Sequence, residues 1–231
     1  MSSWGSGAGE ARRSGKGAVT VPRTLDAEDA RRLEKCLADG GVAVFPADTV
    51  YGLCCDPANE RAVRRLYELK GRPAARPAAV MFFALTSLLR ALPDLEPREC
   101  VAVKALLPGP ATLLLPNRDR RYPLACGPGG SGADSLGLRV PAWTPALAAL
   151  AAVDMPVLQS SANFSGEPDA RHLLDVPAPI RAGADLVLDG GELPGIPSTV
   201  IDLGKYEQCG EWRIVREGPL TRADLERLLA S

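Results

Sequence analysis

The sequence predicts an α/β fold built on one mixed sheet. Segments with apolar side chains at helical spacing alternate with short apolar runs through most of the chain, which is typical of a layered α/β domain. Short connections join the later runs, which favours antiparallel pairing for some of the strands. With 231 residues, 46% of them hydrophobic, the chain is long enough to build one such domain around a substantial core.

Two amphipathic helices are predicted near the start of this domain. Residues 26–38 place apolar or small side chains at helical spacing, and Gly40 and Gly41 end the pattern. Asn59 can cap a second helix that runs through Leu69 and has an apolar face. Each helix therefore carries its own start or stop signal.

The other predicted elements follow from apolar runs and from the turn residues between them. We predict strands at residues 42–45, 79–83, 111–115, 136–140, 157–159, 186–188, 199–202 and 212–215. We predict helices at residues 87–92, 98–107, 145–152 and 222–229, the last of them capped by Thr221. Residues 117–134 are predicted to be a loop with a glycine-rich centre at 127–132.

Composition argues against several classes of protein. A formal net charge of -1 argues against a protein that holds nucleic acid by electrostatics alone. The six cysteines contain no C-x-x-C pair and the chain has one histidine, His172, so no metal-binding residues are predicted. The cysteines are predicted to be reduced. No apolar run approaches the roughly 20 residues of a membrane span, so none is predicted.

The N-terminal segment differs in composition from the rest of the chain. Residues 1–18 are rich in Gly, Ser and Arg and are predicted to form a flexible tail, followed by a single domain over residues 19–231. The tail has one acidic residue, Glu10, and low acidity with Arg and Ser also fits a mitochondrial transit segment. We expect a cytoplasmic protein, with a mitochondrial location as the alternative.

Two cations flank a glycine at the predicted end of the second helix. Gly71 suits a left-handed cap, and Lys70 and Arg72 lie on either side of it. One interpretation is that both cations only complement the dipole at the helix C-terminus. The other is that Gly71 lets the backbone approach a ligand, with Lys70 as a point charge and Arg72 as a planar fork on phosphate oxygens.

Hydroxyl and amide groups follow two of the predicted strands. Thr49 and Asp48 lie in a turn after strand 42–45. One interpretation is that both side chains bond the backbone of their own turn. The other is that Thr49 offers a hydroxyl to a substrate at the sheet edge. Ser161 and Asn163 leave a later strand. They form either a polar turn or the uncharged, hydrogen-bonding part of a pocket.

A buried arginine is predicted at Arg139, which lies within the apolar strand 136–140. Because a buried guanidinium without a partner is costly, it must meet a carboxylate, either an internal aspartate or that of a substrate. Ser198 and Arg216 repeat the pattern of a hydroxyl or a cation at a strand end. Both are therefore further candidates for a polar site.

The sequence does not place a nucleophile beside a general base. It has no Cys-His or Ser-x-x-Lys arrangement, no G-x-x-x-x-G-K-[ST] loop and no G-x-G-x-x-G after a strand. The hydroxyls, amide and cations instead favour an enzyme that aligns reactants and stabilises phosphate charge.

Taken in order, seven segments of the chain resemble the YrdC family, the threonylcarbamoyl-AMP synthases. They are FPADTVYGL, LKGRP, LLPGPATLLL, GLRVP, SSANFSGEP, PSTVIDL and IVREG. The segments cover roughly residues 25 to 220. The resemblance implies a twisted mixed parallel and antiparallel sheet flanked by helices, with a basic concave face, and a catalytic domain over residues 19–231.

The resemblance also implies a reaction and partners. L-threonine, bicarbonate and ATP would give threonylcarbamoyl-AMP and pyrophosphate, with Mg2+ accompanying the nucleotide as cofactor. A separate KEOPS- or TsaD-type transferase would use the product to make N6-threonylcarbamoyladenosine (t6A) in tRNA. A weak contact with tRNA itself is also expected.

Residue by residue, the resemblance implies two sets of contacts. Thr49, Arg139 and Ser198 would bind threonine, with Arg139 forking its carboxylate. Lys70 and Arg72 would be catalytic. The residues expected to bind the nucleotide and its phosphates are Lys70, Arg72, Ser135, Ser161, Asn163 and Arg216.

The chain departs from the family pattern at two positions. Met81 stands where many members have a histidine after the K-G-R segment, and a thioether cannot replace an imidazole donor to threonine. Arg76 stands where a smaller polar residue is common. The chain ends at Ser231, so the extra C-terminal domain of some longer relatives is not expected.

Two other functions fit some of the same residues. A non-catalytic module that binds double-stranded RNA or tRNA would use the same basic face, but the near-neutral charge and the 5% aromatic content argue against it. A related carbamoyl-adenylate enzyme that acts on another amino acid, such as serine, is equally compatible with Thr49 and Arg139.

Overall fold

A computed structural model describes residues 24–71, 73, 76–126 and 134–230. Three of the predictions above concern residues outside these ranges. They are the tail at 1–18, the role of Arg72 and the glycine-rich centre at 127–132, and they stay predictions.

In the described part of the chain, nine strands form one mixed sheet. They are β1 (Ala43–Pro46), β2 (Tyr51–Cys55), β3 (Ala79–Met81), β4 (Ala111–Pro116), β5 (Ser135–Arg139), β6 (Val157–Ser161), β7 (Leu186–Val187), β8 (Thr199–Lys205) and β9 (Glu211–Arg216). Their order across the sheet is β7-β1-β2-β6-β3-β5-β4-β8-β9. The pairs β1/β7, β3/β5 and β4/β8 are parallel and the other pairs are antiparallel. The predicted α/β fold with a mixed sheet is therefore confirmed.

Helices cover the two halves of this sheet. They are α1 (Ala27–Ala38), α2 (Glu60–Lys70), α3 (Leu85–Ala91), α4 (Pro97–Leu106), α5 (Pro123–Cys126), α6 (Ala178–Gly183), α7 (Tyr206–Cys209) and α8 (Arg222–Leu229), with 3-10 helices at Pro145–Ala152 and Leu173–Asp175. Helices α1, α2 and α6 pack beside β1, β2 and β7, whereas α4, α7 and α8 pack near β4 and β8.

The helix boundaries agree with the predicted caps. Asp26, which was not predicted as a cap, accepts hydrogen bonds from the first turn of α1, 2.8 Å from Glu28 N and 3.0 Å from Asp29 N. Asn59 Oδ1 accepts from Ala62 N at 3.0 Å, which fixes the start of α2. Gly71 adopts the left-handed conformation, with φ 58°, at the end of α2. Capping side chains and a C-terminal glycine were therefore reliable signals in this chain.

Strand β2 was missing from the predicted elements. Its sequence, YGLCC, has no alternation of polar and apolar residues because every side chain in it is buried. It pairs with β1 on one side and β6 on the other. Gly52 allows this close pairing, since a Cβ atom there would lie 2.8 Å from Gln159 Nε2 and 3.0 Å from Phe45 Cε1.

Other differences concern short elements. The segment predicted as a helix at 145–152 is a 3-10 helix, and the predicted loop 117–134 contains α5. Helices α6 and α7 were not predicted, since six and four residues are too few to show helical periodicity. Of the described helices, none has the length and apolar character needed to cross a bilayer.

We expect the cysteines to differ sharply in reactivity. All six are free, Cys209 is exposed and Cys54 is buried. Burial raises the pKa of the Cys55 thiol to about 12, so almost none of it is thiolate near neutral pH. Iodoacetamide should therefore alkylate Cys209 in the native protein and reach Cys54 and Cys55 only after denaturation. Peptide mass spectrometry measures this order, and equal labelling of Cys54 and Cys209 would contradict it.

Candidate active site

A cavity of about 690 Å³ opens on one face of the sheet. Strands β3, β4, β5, β6, β8 and β9 all contribute lining residues to it. On β5 the residues that line the cavity are Ser135, Gly137 and Arg139, which alternate because successive side chains point to opposite faces of a sheet. Gly137 and Ala79 leave the floor of the cavity open, since neither carries a large side chain.

Arg139 lies at the end of β5 and is 3% exposed. Its Nη2 donates to Asp48 Oδ1 and to the hydroxyl of Thr49. The carboxylate that a buried Arg139 requires is therefore internal and belongs to Asp48. Its Nε is buried and has no hydrogen-bond partner among the described residues, although the side chain lines the cavity.

Asp48 and Thr49 lie in the turn between β1 and β2. Their side chains reach Arg139, which is about 90 residues away in sequence, so the interpretation that they bond only their own turn is wrong. Asp48 Oδ2 also accepts from Ala142 N at 3.1 Å. Thr49 is 1% exposed, and its hydroxyl lies against Arg139 behind the cavity wall.

A second cluster joins β4, β8 and β9. Arg216 Nη2 donates to Ser198 O at 2.7 Å and to Ser198 Oγ at 3.2 Å, and the Ser198 hydroxyl lies 2.7 Å from that of Thr112. Burial lowers the pKa of Arg216, with Asp169 acting in the opposite direction and the nearby charge of Arg139 in the same one. The residues Thr112, Ser198 and Arg216 all line the cavity.

A third cluster surrounds the ammonium group of Lys70, the last residue of α2. Lys70 Nζ donates to Asn163 Oδ1 at 2.6 Å, Asn163 O at 2.9 Å and Ser161 O at 2.7 Å. Ser161 Oγ in turn lies 2.7 Å from Asn163 Oδ1. Lys70 is 3% exposed, so its charge lies inside the wall that presents Ser161 to the cavity. Ser165 N also donates to Lys70 O at 3.1 Å, which ties the following loop to the end of α2.

The remaining predicted positions are distributed as follows. Ser135 lines the cavity at the start of β5, as do Asp202 on β8 and Arg213 on β9. Arg213 Nε donates to Asp202 Oδ2 at 2.8 Å. Met81 is fully buried on β3, in register with Arg139 on β5. Arg72 lies outside the described residues.

Sequence reasoning missed three residues of this site. The partnership of Asp48 with Arg139 is a contact between distant segments, and Arg213 gave no local signal beyond its charge. Thr112 was detectable, since it is the polar residue in the apolar run ATLLL of β4. Its position facing Ser198 depends on the parallel pairing of β4 with β8.

The charges and donors suit the binding of anions. Among the described residues, the cavity is lined by three arginines and by one carboxylate. The arginines are Arg139, Arg213 and Arg216, and the carboxylate is Asp202. The thiol in the wall is Cys126, and burial raises its pKa, so it stays protonated near neutral pH and is a poor nucleophile. The arrangement can orient and neutralise anionic reactants but offers no covalent catalyst.

The fold and the cavity together define an α/β domain with a cavity lined by arginines and hydroxyls at its sheet. A family model for the Sua5, YciO and YrdC proteins, described as "Telomere recombination", matches residues 35–218. The chain belongs to this family. The predicted resemblance is therefore confirmed over most of the described residues.

Curated relatives of this chain are named threonylcarbamoyl-AMP synthase. The protein from Xanthomonas euvesicatoria pv. vesicatoria is 37% identical over 200 residues, which cover 85% of this chain and 98% of that protein. The protein from Pyrococcus abyssi is 33% identical over 197 residues, which cover 84% of this chain and 55% of that protein. The chain thus spans nearly all of one relative and about half of the other.

Solved structures show the same fold. The crystal structure of P. abyssi Sua5 complexed with L-threonine matches with a TM-score of 0.74 and 30% identity, covering 88% of this chain and 58% of that one. Escherichia coli YciO matches with a TM-score of 0.72 and 24% identity, covering 88% of this chain and 96% of that one. The second match supports the fold alone.

Replacing Lys70 tests whether its ammonium holds the Ser161 wall together. Lys70→Met keeps the aliphatic stem but leaves buried acceptors of Ser161 and Asn163 without their donor. We expect the free energy of unfolding, measured in urea, to fall by about 3 kcal/mol. Lys35→Met is the matched control, since Lys35 is an exposed helix lysine paired with Asp39, and its unfolding midpoint should match that of the wild type. Equal midpoints for both variants would contradict the assigned role of Lys70.

Proposed function

We propose that the chain is an L-threonylcarbamoyladenylate synthase, which makes threonylcarbamoyl-AMP and pyrophosphate from L-threonine, bicarbonate and ATP. The observation that carries this proposal is the convergence of Arg139, Ser161, Ser198 and Arg216 on one cavity. These residues come from four separate segments of the chain. The names of the relatives and the threonine complex of P. abyssi Sua5 support the same activity.

In this proposal the amino acid lies near Arg139. The guanidinium is nearly fully buried, so its attraction for a carboxylate is weakly screened by water. Ser198 supplies a hydroxyl beside Arg216. Thr49 acts on the amino acid through Arg139, whose guanidinium its buried hydroxyl contacts. The buried Nε of Arg139, which has no partner among the described residues, supports a ligand at this end of the cavity.

The nucleotide occupies the rest of the cavity in this proposal. Ser161 and Ser135 line the cavity and offer hydrogen bonds without charge, while Arg216 and Arg72 neutralise phosphate oxygens. Asn163 acts on the nucleotide through Ser161, whose hydroxyl its Oδ1 contacts at 2.7 Å. Lys70 acts through the loop that it holds, because its ammonium is surrounded by Ser161 and Asn163. Its proposed catalytic effect is therefore to fix that loop.

The proposed chemistry needs no protein nucleophile. The threonine amine takes up carbon dioxide from bicarbonate to give a carbamate, with loss of water. A carbamate oxygen then attacks the α-phosphorus of ATP, forming a P–O bond while the bond to pyrophosphate breaks. The cations hold the two anionic reactants together and stabilise the charge on the leaving group.

Mg2+ enters this scheme with ATP as part of the substrate. No group of three or more His, Cys, Asp or Glu side chains that could hold a metal occurs among the described residues. Asp202, which lines the cavity, is paired with Arg213. This agrees with the usual binding of Mg2+ through substrate phosphates and few protein carboxylates.

The product defines the proposed partner. An acyl-phosphate mixed anhydride is reactive in water, so it requires a transferase that consumes it quickly. We propose a KEOPS- or TsaD-type enzyme that places the threonylcarbamoyl group on tRNA, with only weak contact between tRNA and this chain. The location proposed is the cytoplasm, with the mitochondrion as the alternative.

The activity is tested by measuring pyrophosphate. The purified chain, incubated with ATP and Mg2+, should release pyrophosphate only when both L-threonine and bicarbonate are present. A serine arm tests the alternative substrate, and faster turnover with serine would assign that amino acid instead. Release that does not depend on threonine would refute the proposal.

Calorimetry separates the synthase from the RNA-binding alternative. The synthase should bind threonine and ATP. A steep salt-dependent affinity for tRNA, together with no heat on titration of threonine or ATP, would favour the non-catalytic module.

Substitution of Arg139 tests the amino-acid end of the cavity. Arg139→Ala removes the cation that would bind the carboxylate of threonine. The KM for threonine should rise about 100-fold, with a smaller effect on the KM for ATP. Arg139→Lys keeps the charge beside Asp48 but not the planar fork, and should give an intermediate KM. Initial rates at varied threonine and at varied ATP measure both.

Arg65→Ala is the control for the loss of an ion-paired arginine elsewhere. Arg65 pairs with Asp185 at 2.5 Å on the side of the sheet covered by α1 and α2. The KM for threonine should stay at the wild-type value in this variant. A wild-type KM in Arg139→Ala as well would show that the residue assignment is wrong.

A further inference from the structure

We infer that Asp48 is a positioning residue that sets the orientation of Arg139 toward the amino-acid substrate. This inference rests on the proposed function. It adds a residue that the sequence placed only in a turn.

The two oxygens of Asp48 have different partners. Oδ1 accepts from Arg139 Nη2, and Oδ2 accepts from Ala142 N at 3.1 Å. The side chain of Asp48 is 5% exposed and that of Arg139 is 4% exposed. One carboxylate therefore fixes both the guanidinium and the backbone just after β5, with little screening by water.

The segment that follows Arg139 is also fixed beyond Ala142. Trp143 Nε1 donates to Phe83 O at 2.8 Å, and its ring stacks on that of Phe83 at 5.7 Å and 13°. Asp48 thus connects the β1–β2 turn to the segment after β5, which these contacts between Trp143 and Phe83 hold in place. The position of the Arg139 side chain depends on this connection.

Asp48 also determines which donors of Arg139 remain for a ligand. A guanidinium carries five N–H groups. The two on Nη2 have acceptors in Asp48 and Thr49. Neither Nη1 nor the buried Nε has an acceptor among the described residues. The two N–H groups on Nη1 are the ones left for a carboxylate in the cavity, because the Nε has almost no accessible surface.

Orientation is the main consequence of this pair, since a buried ion pair adds little net stability compared with apolar residues of the same volume. Without the Asp48 charge, the guanidinium can rotate its donors away from the cavity. The Arg139 guanidinium would still be present, but its N–H groups would no longer point at the carboxylate of the amino acid. The nucleotide contacts of Ser161 and Arg216 come from other strands and should be unaffected.

Asp48→Asn is the test, because it preserves shape and removes the charge. Arg139 Nη2 and Ala142 N are both donors, whereas an amide has one oxygen acceptor and one NH2 group. The NH2 group must therefore face one of these two donors. We expect the KM for threonine to rise about tenfold, the loss typical of one charge-assisted hydrogen bond, while kcat changes less than about threefold and the KM for ATP stays constant. The preference for threonine over threoninamide, measured by calorimetry, should fall in parallel, because that preference reports recognition of the carboxylate.

Glu99→Gln is the matched control for a purely structural effect. Glu99 is 1% exposed and its carboxylate binds Arg118 through two hydrogen bonds, at 2.7 and 3.0 Å, outside the cavity. This variant should lose thermal stability but keep the wild-type KM for threonine. If Asp48→Asn keeps the wild-type KM, or if its KM values for threonine and ATP rise together, the inference is overturned.

A second variant covers the case in which Asp48→Asn does not fold. Asp48→Glu keeps the charge but displaces it by one methylene, so the KM for threonine should again rise, and an unchanged KM would overturn the inference. Failure of the proposed function is distinguishable from both outcomes. It would appear in the wild-type protein as pyrophosphate release independent of threonine.

Discussion

A positive charge buried in an apolar sheet is the constraint on which this site depends. Arg139 ends a strand whose neighbours are hydrophobic, and it has almost no contact with bulk water. An isolated charge in such a place is strongly unfavourable. The fold resolves this by bringing the β1–β2 turn, with Asp48 and Thr49, against the end of β5. The cation is neutralised by the protein but keeps donors for an anion in the cavity.

The order of the strands explains why three polar clusters meet at one cavity. β6 lies between β2 and β3, and β5 follows β3. The Ser161 cluster and the Arg139 cluster are therefore separated by a single strand. The parallel pairing of β4 with β8 then brings Thr112 near Ser198, and the antiparallel β9 adds Arg216. Each cluster draws on different strands of the sheet, so the cavity requires the complete central sheet.

The sequence was most informative where a signal is local. Asn59, Gly71 and Thr221 marked helix ends because capping needs only a few neighbouring residues. β2 was missed because burial on both faces removes the alternation by which strands are detected. The short helices α5, α6 and α7 were missed because they depend on their neighbours and not on periodicity.

The site was predictable in its chemistry but not in its connections. A lone Arg139 in an apolar run requires a carboxylate, and this argument holds without any structure. The choice of Asp48 depends on the sheet register, which no local pattern encodes. The same applies to Thr112 and Ser198, which are 86 residues apart. The resemblance implied roles for Arg139 and Ser198 but none for Asp48 or Thr112. The geometry shows that Arg139, Ser198 and Thr112 line the same cavity.

The positions of the cations also indicate how this site would act. Arg139 and Arg216 reach the cavity, whereas Lys70 is enclosed by oxygen atoms of Ser161 and Asn163. A charge enclosed in this way contributes by holding neutral donors in fixed directions, so they need little rearrangement when a ligand arrives. Preorganised dipoles of this kind stabilise developing charge more effectively than mobile side chains in water. The site therefore combines two cations that line the cavity, the buried Arg139 and the exposed Arg216, with an uncharged wall. That combination suits the alignment of two negatively charged reactants.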